Sequence, residues 1–187
     1  MKDKFLICLV LFILILMNPD SSCGKEAEKI MANDINAPTG IACDAKGNLY
    51  VSEWGAGCIA LIRDDKKSII LDGISSPAGL AFDENGKLYI AGYGDGNIYV
   101  RDGTGKPEIF ATGLSAPTGL LWDNGLLVAN RNAGEVVKIE PQGAKKVISR
   151  GHKLPVGIAR TEDGKLFVSC YGGTVDVIGP NGQTSSI

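Results

Sequence analysis

The chain has 187 residues, in which 19 Lys and Arg stand against 21 Asp and Glu, for a net charge of −2. Without a basic excess there is little to attract a phosphate backbone, so nucleic acid is not an expected partner. The five cysteines lack the CxxC spacing of zinc sites and are too few for a disulfide-dense scaffold.

Residues 1–22 are predicted to be a signal peptide. A basic start, Met1-Lys2-Asp3-Lys4, precedes thirteen apolar residues at 5–17. As a helix, this run would span about 20 Å, which is short of the ~30 Å hydrocarbon core of a bilayer. Export is therefore favoured over a spanning anchor, and the protein is expected outside the cytoplasm.

The residues that follow, Ser21-Ser22-Cys23-Gly24, resemble the end of a bacterial lipobox, in which the cysteine becomes the lipidated first residue. We expect lipidation at Cys23, with ordinary cleavage near Cys23 and free secretion as the alternative. A lipid at this position would tether the protein to a membrane surface without spanning it. Residues 23–28 would then form a short tether.

A repeat fills the rest of the chain. The tetrapeptide P-x-G-[IL] starts at Pro38, Pro77, Pro117 and Pro155, at intervals of 39, 40 and 38 residues. Each copy continues into an acidic turn with Gly and then into further short apolar runs rich in β-branched and aromatic residues. Such runs are too short for helices and predict four strands per repeat, which is one propeller blade. An all-β propeller domain of four blades is predicted over residues 29–187.

The two ends of this domain are predicted to help close it. Residues 30–35 align with the outer strand of the first repeat at 69–74, so an additional strand is predicted over 29–35. The fourth repeat stops at Ser186-Ile187, a few residues into its own outer strand. A terminal strand that completes the last blade would remove an exposed sheet edge.

The signature P-x-G-[IL]-A-x-D-x-x-G-x-L-Y-V at 38–51, echoed three times, resembles the NHL-repeat, gluconolactonase (regucalcin-like) and streptogramin-lyase β-propellers. Those families usually have six or seven blades, so the resemblance implies an open or incomplete form of a six-bladed type. A tight four-bladed ring and a shortened reading frame are alternatives. Self-association could complete the ring.

One rim of the propeller is predicted to carry a ligand site. In an up-and-down blade, the loop before the first strand and the loop after the second lie on the same face. Six residues at these loops are the candidate ligand-binding residues: Glu53, Trp54, Tyr93, Asn130, Arg131 and Tyr171. For the aromatic members, packing between blades is the alternative. Arg131 would be costly to bury unpaired and is expected to reach solvent or a carboxylate such as Glu53.

No catalytic or metal site is predicted. The gluconolactonase resemblance implies metal ligands at the middle position of P-x-G, which is occupied here by Thr39, Ala78, Thr118 and Val156. The stretch 94–97 hints at a calcium loop but has too few oxygen ligands, so a plain turn is expected. The lyase resemblance implies a His with a Glu, whereas the single His152 is interpreted as a solvated loop residue.

These expectations favour a binding or scaffold module that holds a small molecule or a protein on one propeller face without a cofactor. The alternative is a degenerate or incomplete metal-dependent lactonase, or a streptogramin-lyase-like enzyme.

Overall fold

The computed structural model describes residues 32–186, so the predicted signal peptide, the tether and Cys23 lie outside the described residues. Within this range, sixteen strands form four antiparallel sheets of four strands each. Each sheet contains four consecutive strands, so each repeat folds as one blade. The predicted all-β class with four four-stranded blades is confirmed.

The strands follow one another in chain order. Blade 1 contains β1 (Pro38–Cys43), β2 (Leu49–Glu53), β3 (Cys58–Arg63) and β4 (Lys66–Leu71). Blade 2 contains β5 (Pro77–Phe82), β6 (Leu88–Gly92), β7 (Asn97–Arg101) and β8 (Glu108–Ala111). Blade 3 contains β9 (Pro117–Trp122), β10 (Leu126–Asn130), a single 3-10 turn (Arg131–Ala133), β11 (Glu135–Ile139) and β12 (Lys145–Arg150). Blade 4 contains β13 (Pro155–Arg160), β14 (Leu166–Cys170), β15 (Thr174–Ile178) and β16 (Thr184–Ser186). No helix among the described residues is long and apolar enough to cross a membrane.

Acidic turns join the first two strands of a blade. Between β5 and β6, Asp83 Oδ1 accepts hydrogen bonds from the amides of Asn85 (2.9 Å) and Lys87 (2.8 Å). Gly86, at φ +80°, supplies the left-handed residue that the turn needs. Asp44 accepts the equivalent amide hydrogen bonds in blade 1, which explains why an acidic turn is part of the repeat.

The glycine of P-x-G allows adjacent blades to approach closely. A Cβ on Gly40, Gly79 or Gly119 would lie 2.1, 2.2 or 2.4 Å from a carbonyl oxygen in the first strand of the next blade. Real side chains do not tolerate such distances, so any other residue would push the two inner strands apart.

The residue after this glycine fills the space on the other side of its strand. Leu80 is only 6% exposed and belongs to an apolar cluster with Ile59 and Ile74 of blade 1. Leu120 is buried in the same way beside Ile98 of blade 2. Blades 2 and 3 are thus covered by their neighbours on both faces, which is why their strands lack a strict alternation of polar and apolar residues.

The four blades form an open arc, as expected for an incomplete propeller. The inner strands β1, β5, β9 and β13 pack in that order. The two ends of the described arc leave apolar residues uncovered: Ile41 on blade 1 is 66% exposed and Val175 on blade 4 is 36% exposed. Their counterparts inside the arc, Leu80 and Ile98, are buried.

The additional strand predicted over 29–35 is not found in its described part. Residues 32–35 lie outside the strands, and Asp34 has a φ of +61°, which an extended strand does not adopt. The matching residues 72–74 of blade 1 have also left their strand, because β4 ends at Leu71. Blade 4 is instead completed on its outer side by its own β16. Residues 29–31 lie outside the described range.

Candidate functional site

The P-x-G turns and the ends of the second strands lie along one edge of the arc. In each blade the proline pairs with the last residue of the second strand, as Pro38 does with Glu53. The following residue donates its backbone N–H to the carbonyl just before the proline, as Trp54 does to Ala37 (3.1 Å). The carbonyl residues all have φ between 48° and 57°: Ala37, Ser76, Ala116 and Leu154. This repeated turn brings four candidate residues to one rim: Trp54, Tyr93, Arg131 and Tyr171.

A pocket of about 520 Å³ opens on this rim. Each blade contributes its x-G-[IL] residues to the wall, together with one of the four rim residues. Glu53 and Asn130 are not among the lining residues. The expectation that Arg131 and Tyr171 share a face with the P-x-G turns therefore agrees with the geometry, whereas ligand binding by these residues stays a prediction.

The four rim residues form a continuous row across the blades. The rings of Trp54 and Tyr93 have centroids 4.5 Å apart and are inclined by 55°. Arg131 Cζ then lies 5.9 Å from the ring centroid of Tyr93 and 5.5 Å from that of Tyr171. The first three residues are half-buried, while Tyr171 at the end of the row is 77% exposed. The row thus presents aromatic surface with a positive charge near its middle.

Arg131 is partly exposed on the pocket rim, as one of the two expected alternatives has it, and it bonds to its neighbours instead of pairing with Glu53. Its Nη1 donates to the hydroxyl of Tyr93 (3.1 Å) and to Asn132 Oδ1 (3.2 Å). Arg131 begins the 3-10 turn that Gly134 ends in the left-handed conformation. The turn directs the side chain toward the adjacent rim residues.

Glu53 is a buried structural carboxylate instead of a rim ligand. Its Oε2 accepts the backbone N–H of Asn36 (2.8 Å), and Lys67 Nζ lies 2.7 Å from Oε1. Burial would raise the pKa of Glu53, but the contacts with Lys67 and Asn36 outweigh it and lower that pKa. Glu53 is the last residue of β2 and faces into the blade, whereas Trp54 lies in the turn that follows and reaches the pocket.

Asn130 occupies the equivalent position in blade 3 and has the equivalent role. Its Oδ1 accepts the backbone N–H of Ser115 (2.7 Å), and its Nδ2 lies 3.4 Å from Glu135 Oε2. Both side chains therefore fasten the segment that leads into the first strand of their blade. The prediction that they face a ligand is corrected accordingly.

The likeness of this architecture to known proteins is one of fold. No protein-family model and no curated protein matches the chain. Solved structures do match: a virginiamycin B lyase from Staphylococcus aureus has a TM-score of 0.70 at 17% identity, covering 83% of this chain and 56% of the lyase. The chain has the β-propeller fold. A gluconolactonase from Xanthomonas campestris matches this propeller with a TM-score of 0.73 at 18% identity, covering 84% of this chain and 64% of the gluconolactonase. The chain thus spans less than two thirds of the length of either structure.

A buried polar cluster between blades 3 and 4 of the propeller was missed from the sequence. His152, interpreted as solvated, is buried: its Nδ1 lies 2.6 Å from Asp176 Oδ2 and its Nε2 lies 3.0 Å from Ser149 Oγ. Cys170 Sγ donates to the same oxygen of Asp176 (3.4 Å), and Ser186 Oγ donates to Oδ1 (2.6 Å). The cluster therefore ties the outer strand of blade 3 to blade 4.

Three side chains of this cluster are of types that can bind a metal ion. The donor atoms of His152, Cys170 and Asp176 are all within 4.8 Å of one another. Each of these three side chains already forms a hydrogen bond within the cluster. Burial also raises the pKa of the Cys170 thiol, which keeps the sulfur protonated. The arrangement serves as a polar fastening between blades.

The calcium-like stretch at 94–97 is a turn. Asp95 Oδ1 accepts the amide of Asn97 (3.1 Å), and the hydroxyl of Tyr99 donates to its other carboxylate oxygen. These are local hydrogen bonds of the β6–β7 connection, and they account for the acidic residue at this position.

Proposed function

We propose that the protein is an exported binding module that holds a small, flat ligand with an anionic group, or a protein side chain of that kind, in the rim pocket. The observation that carries this proposal is the row of Trp54, Tyr93, Arg131 and Tyr171 along a pocket of about 520 Å³. Pockets of this size suit small ligands, which bury most of their surface in such clefts.

The walls of the pocket favour apolar and aromatic contact. Its inner part is lined by the backbone and apolar side chains of the P-x-G-[IL] turns. The hydroxyls of Thr39 and Thr118 do not offer their protons to a ligand, because they donate them to Pro77 O (2.9 Å) and Pro155 O (3.0 Å) of the following blades. Stacking on the rings is therefore the main contact available to a ligand.

Arg131 supplies the polar recognition. A guanidinium carries five N–H donors, and the hydrogen bonds of Arg131 to described residues use Nη1 only. The remaining donors can form a charge-assisted pair with a carboxylate or phosphate, which is stronger than a neutral hydrogen bond. The lining thus selects for a ring system with an anion attached.

Fluorescence of Trp54 provides the test. The chain has two tryptophans, and Trp122 stacks on Tyr89 away from the pocket, so Trp122→Phe leaves Trp54 as the reporter. The probes are 4-hydroxybenzoate, its neutral amide, gluconate and quinupristin, the last because an inactive virginiamycin B lyase was solved with it. We expect the aromatic carboxylate to bind about tenfold more tightly than its amide, because only the carboxylate pairs with Arg131.

Arg131→Gln should abolish this preference, whereas Arg63→Gln, which removes an exposed arginine bonded to Asn48, should leave it unchanged. Equal binding of the acid and the amide, or equal losses in the two variants, would contradict the role of Arg131. If none of the probes changes Trp54 fluorescence, the proposed ligand class is wrong.

An enzymatic role as a degenerate lactonase or lyase is the second candidate, favoured by the folds that the chain matches. The described pocket lining contains neither a carboxylate nor a histidine side chain, which are the groups expected for metal binding or general acid–base chemistry. Hydrolysis of a lactone by the purified protein, dependent on a divalent metal, would favour this candidate.

The proposed location is outside the cytoplasm, with a lipid on Cys23. The basic start and the short apolar run at 5–17 support export. Mass spectrometry of the protein from a bacterial host is expected to show a chain that begins at Cys23 with an attached lipid. A chain that keeps Met1 would contradict export, and an unmodified Cys23 would leave only free secretion.

A further inference from the structure

The two end faces of the arc are exposed, whereas the faces at the internal junctions are covered by the next blade. At each internal junction, the first strand of one blade packs against the first strand of the next, as β1 does on β5. On blade 4 the corresponding face exposes Ser169 and Val175, and on blade 1 the opposite face exposes Ile41. These are the two halves of one type of junction.

The face of blade 4 retains the features that receive a further blade. Gly157 is the fourth P-x-G glycine, and a Cβ there would meet only the hydroxyl of Ser169, with no carbonyl of a next blade. Ser169 Oγ accepts the amide of Gly157 (3.0 Å). In blade 1, Ser52 makes the same contact with Gly40 and also donates to Ala78 O of blade 2 (2.6 Å).

Val175 in blade 4 holds the position of Ile59 in blade 1. The strand register pairs it with Ser169, as it pairs Ile59 with Ser52 in blade 1. Ile59 is buried in the cluster that contains Leu80 of the next blade, whereas Val175 is exposed. Blade 4 therefore has an unfilled position for a residue equivalent to Leu80.

Blade 1 carries that residue on its free face. Ile41 is the P-x-G-[IL] residue of the first repeat and holds the position of Leu80. It lies beside a groove of about 410 Å³ that Ile35, Val51 and Ile62 also line. The carbonyl of Thr39 corresponds in sequence to that of Ala78, which accepts a hydrogen bond from Ser52 Oγ and lies 2.1 Å from the place of a Cβ on Gly40.

We propose that the blade 4 face of one copy of this chain docks on the blade 1 face of a second copy, in a head-to-tail junction that repeats the internal one. Val175 then packs against Ile41 of the second copy, and Ser169 Oγ donates to the carbonyl of Thr39. A second copy is the occupant because the chain itself carries both complementary halves. Two copies supply eight blades, within the range of closed propellers, and a junction whose rotation does not close gives a longer head-to-tail chain.

Sedimentation of the mature protein between about 1 and 100 µM tests the proposal, since association through a junction of this kind depends on concentration. We expect concentration-dependent dimers or longer head-to-tail species. Ile41→Lys and Val175→Asp should each weaken association by more than about tenfold, because each places a charge in the apolar junction. Ile109→Lys is the matched control, because Ile109 is 58% exposed but lies on the outer strand of blade 2.

Mixing the Ile41→Lys and Val175→Asp proteins gives a second measurement. The Ile41→Lys copy keeps Val175 and the Val175→Asp copy keeps Ile41, so a mixed pair can form one wild-type junction, and association should return toward the wild-type level. A wild-type protein that stays monomeric across the range would overturn the proposal. It would also be overturned if Ile109→Lys were as disruptive as Ile41→Lys, or if the mixture failed to associate. Circular dichroism of each monomer shows that the variants have folded.

Discussion

The junction of blades 2 and 3 and the junction of blades 3 and 4 share a backbone but differ in chemistry. At both, a P-x-G glycine lies against a carbonyl of the next blade, with 2.2 Å at Gly79 and 2.4 Å at Gly119 from the place of a Cβ. At equivalent positions farther out, Leu114 donates its amide to Gly96 O and His152 donates its amide to Gly134 O. An apolar side chain in one junction is thus replaced by an imidazole in the other.

The difference shows which part of a junction the fold determines. The inner strands meet in the same way whatever lies outside them, because the glycines and the strand register are common to all blades. The outer part accepts either an apolar cluster or a polar one, provided that the polar groups are fully hydrogen-bonded. At the junction of blades 3 and 4, Asp176 is fully hydrogen-bonded in this sense, since His152, Cys170 and Ser186 all donate to it.

The largest effect is expected where the inner strands meet. Gly79→Ala would place a methyl group 2.2 Å from Thr118 O, and backbone on both sides leaves little room to relax. We expect a loss of about 3 kcal/mol in the free energy of unfolding, at the upper end of overpacking costs. Urea unfolding measures it.

Gly157→Ala is the matched control at the free face of blade 4. The new methyl group would meet only Ser169 Oγ at 2.9 Å, which rotation of the side chain can relieve. At protein concentrations low enough to keep the chain monomeric, the loss should stay under about 1 kcal/mol. Equal losses in the two variants would show that the close approach of the blades is not the reason for the glycine.

The sequence predicted the blades because glycine, proline and the acidic turn recur for backbone reasons, which the repeat spacing shows directly. It also located the rim, since the repeat aligned Trp54 with Tyr171. It did not show which way each side chain points: Glu53 immediately precedes Trp54, yet it faces into the blade and accepts an amide hydrogen bond. The repeat spacing places Glu53 at the end of β2 and Trp54 in the following turn, but it does not determine the direction of either side chain.

The polar cluster is not evident from His152 alone, but the repeat alignment contains a signal for it. Aligned with the repeats, it stands where Ile74 and Leu114 stand, and both of those residues are apolar. A histidine in such a position is predicted to be buried and therefore to need partners. Asp176 is a second such signal. It occupies the strand position of Ala60 in blade 1 and Val137 in blade 3, which are both apolar.

A smaller effect on the free energy of unfolding is expected from acid, which should weaken the polar cluster at the junction of blades 3 and 4. Burial would raise the pKa of Asp176, but hydrogen bonds from Ser186, His152 and Cys170 outweigh it and lower that pKa from 3.8 to about 2. A carboxylate whose pKa is depressed by folding contributes stability above its unfolded pKa and loses it as the pH falls through the folded value. The contribution of Asp176 should therefore disappear between about pH 4 and pH 2.

The measurement compares the wild-type protein with Asp176→Asn by urea unfolding at pH 6 and near pH 2. Other carboxylates titrate in both proteins, so the difference between the two isolates residue 176. This difference should shrink by about 2 kcal/mol in acid, because a depression of nearly two pKa units corresponds to that free energy. At the junction of blades 2 and 3 the corresponding residues are Leu114 and Val137, and neither of them titrates. A difference that is the same at both pH values would show that Asp176 is not held as a hydrogen-bonded carboxylate, and the contrast between the two junctions would then be one of packing alone.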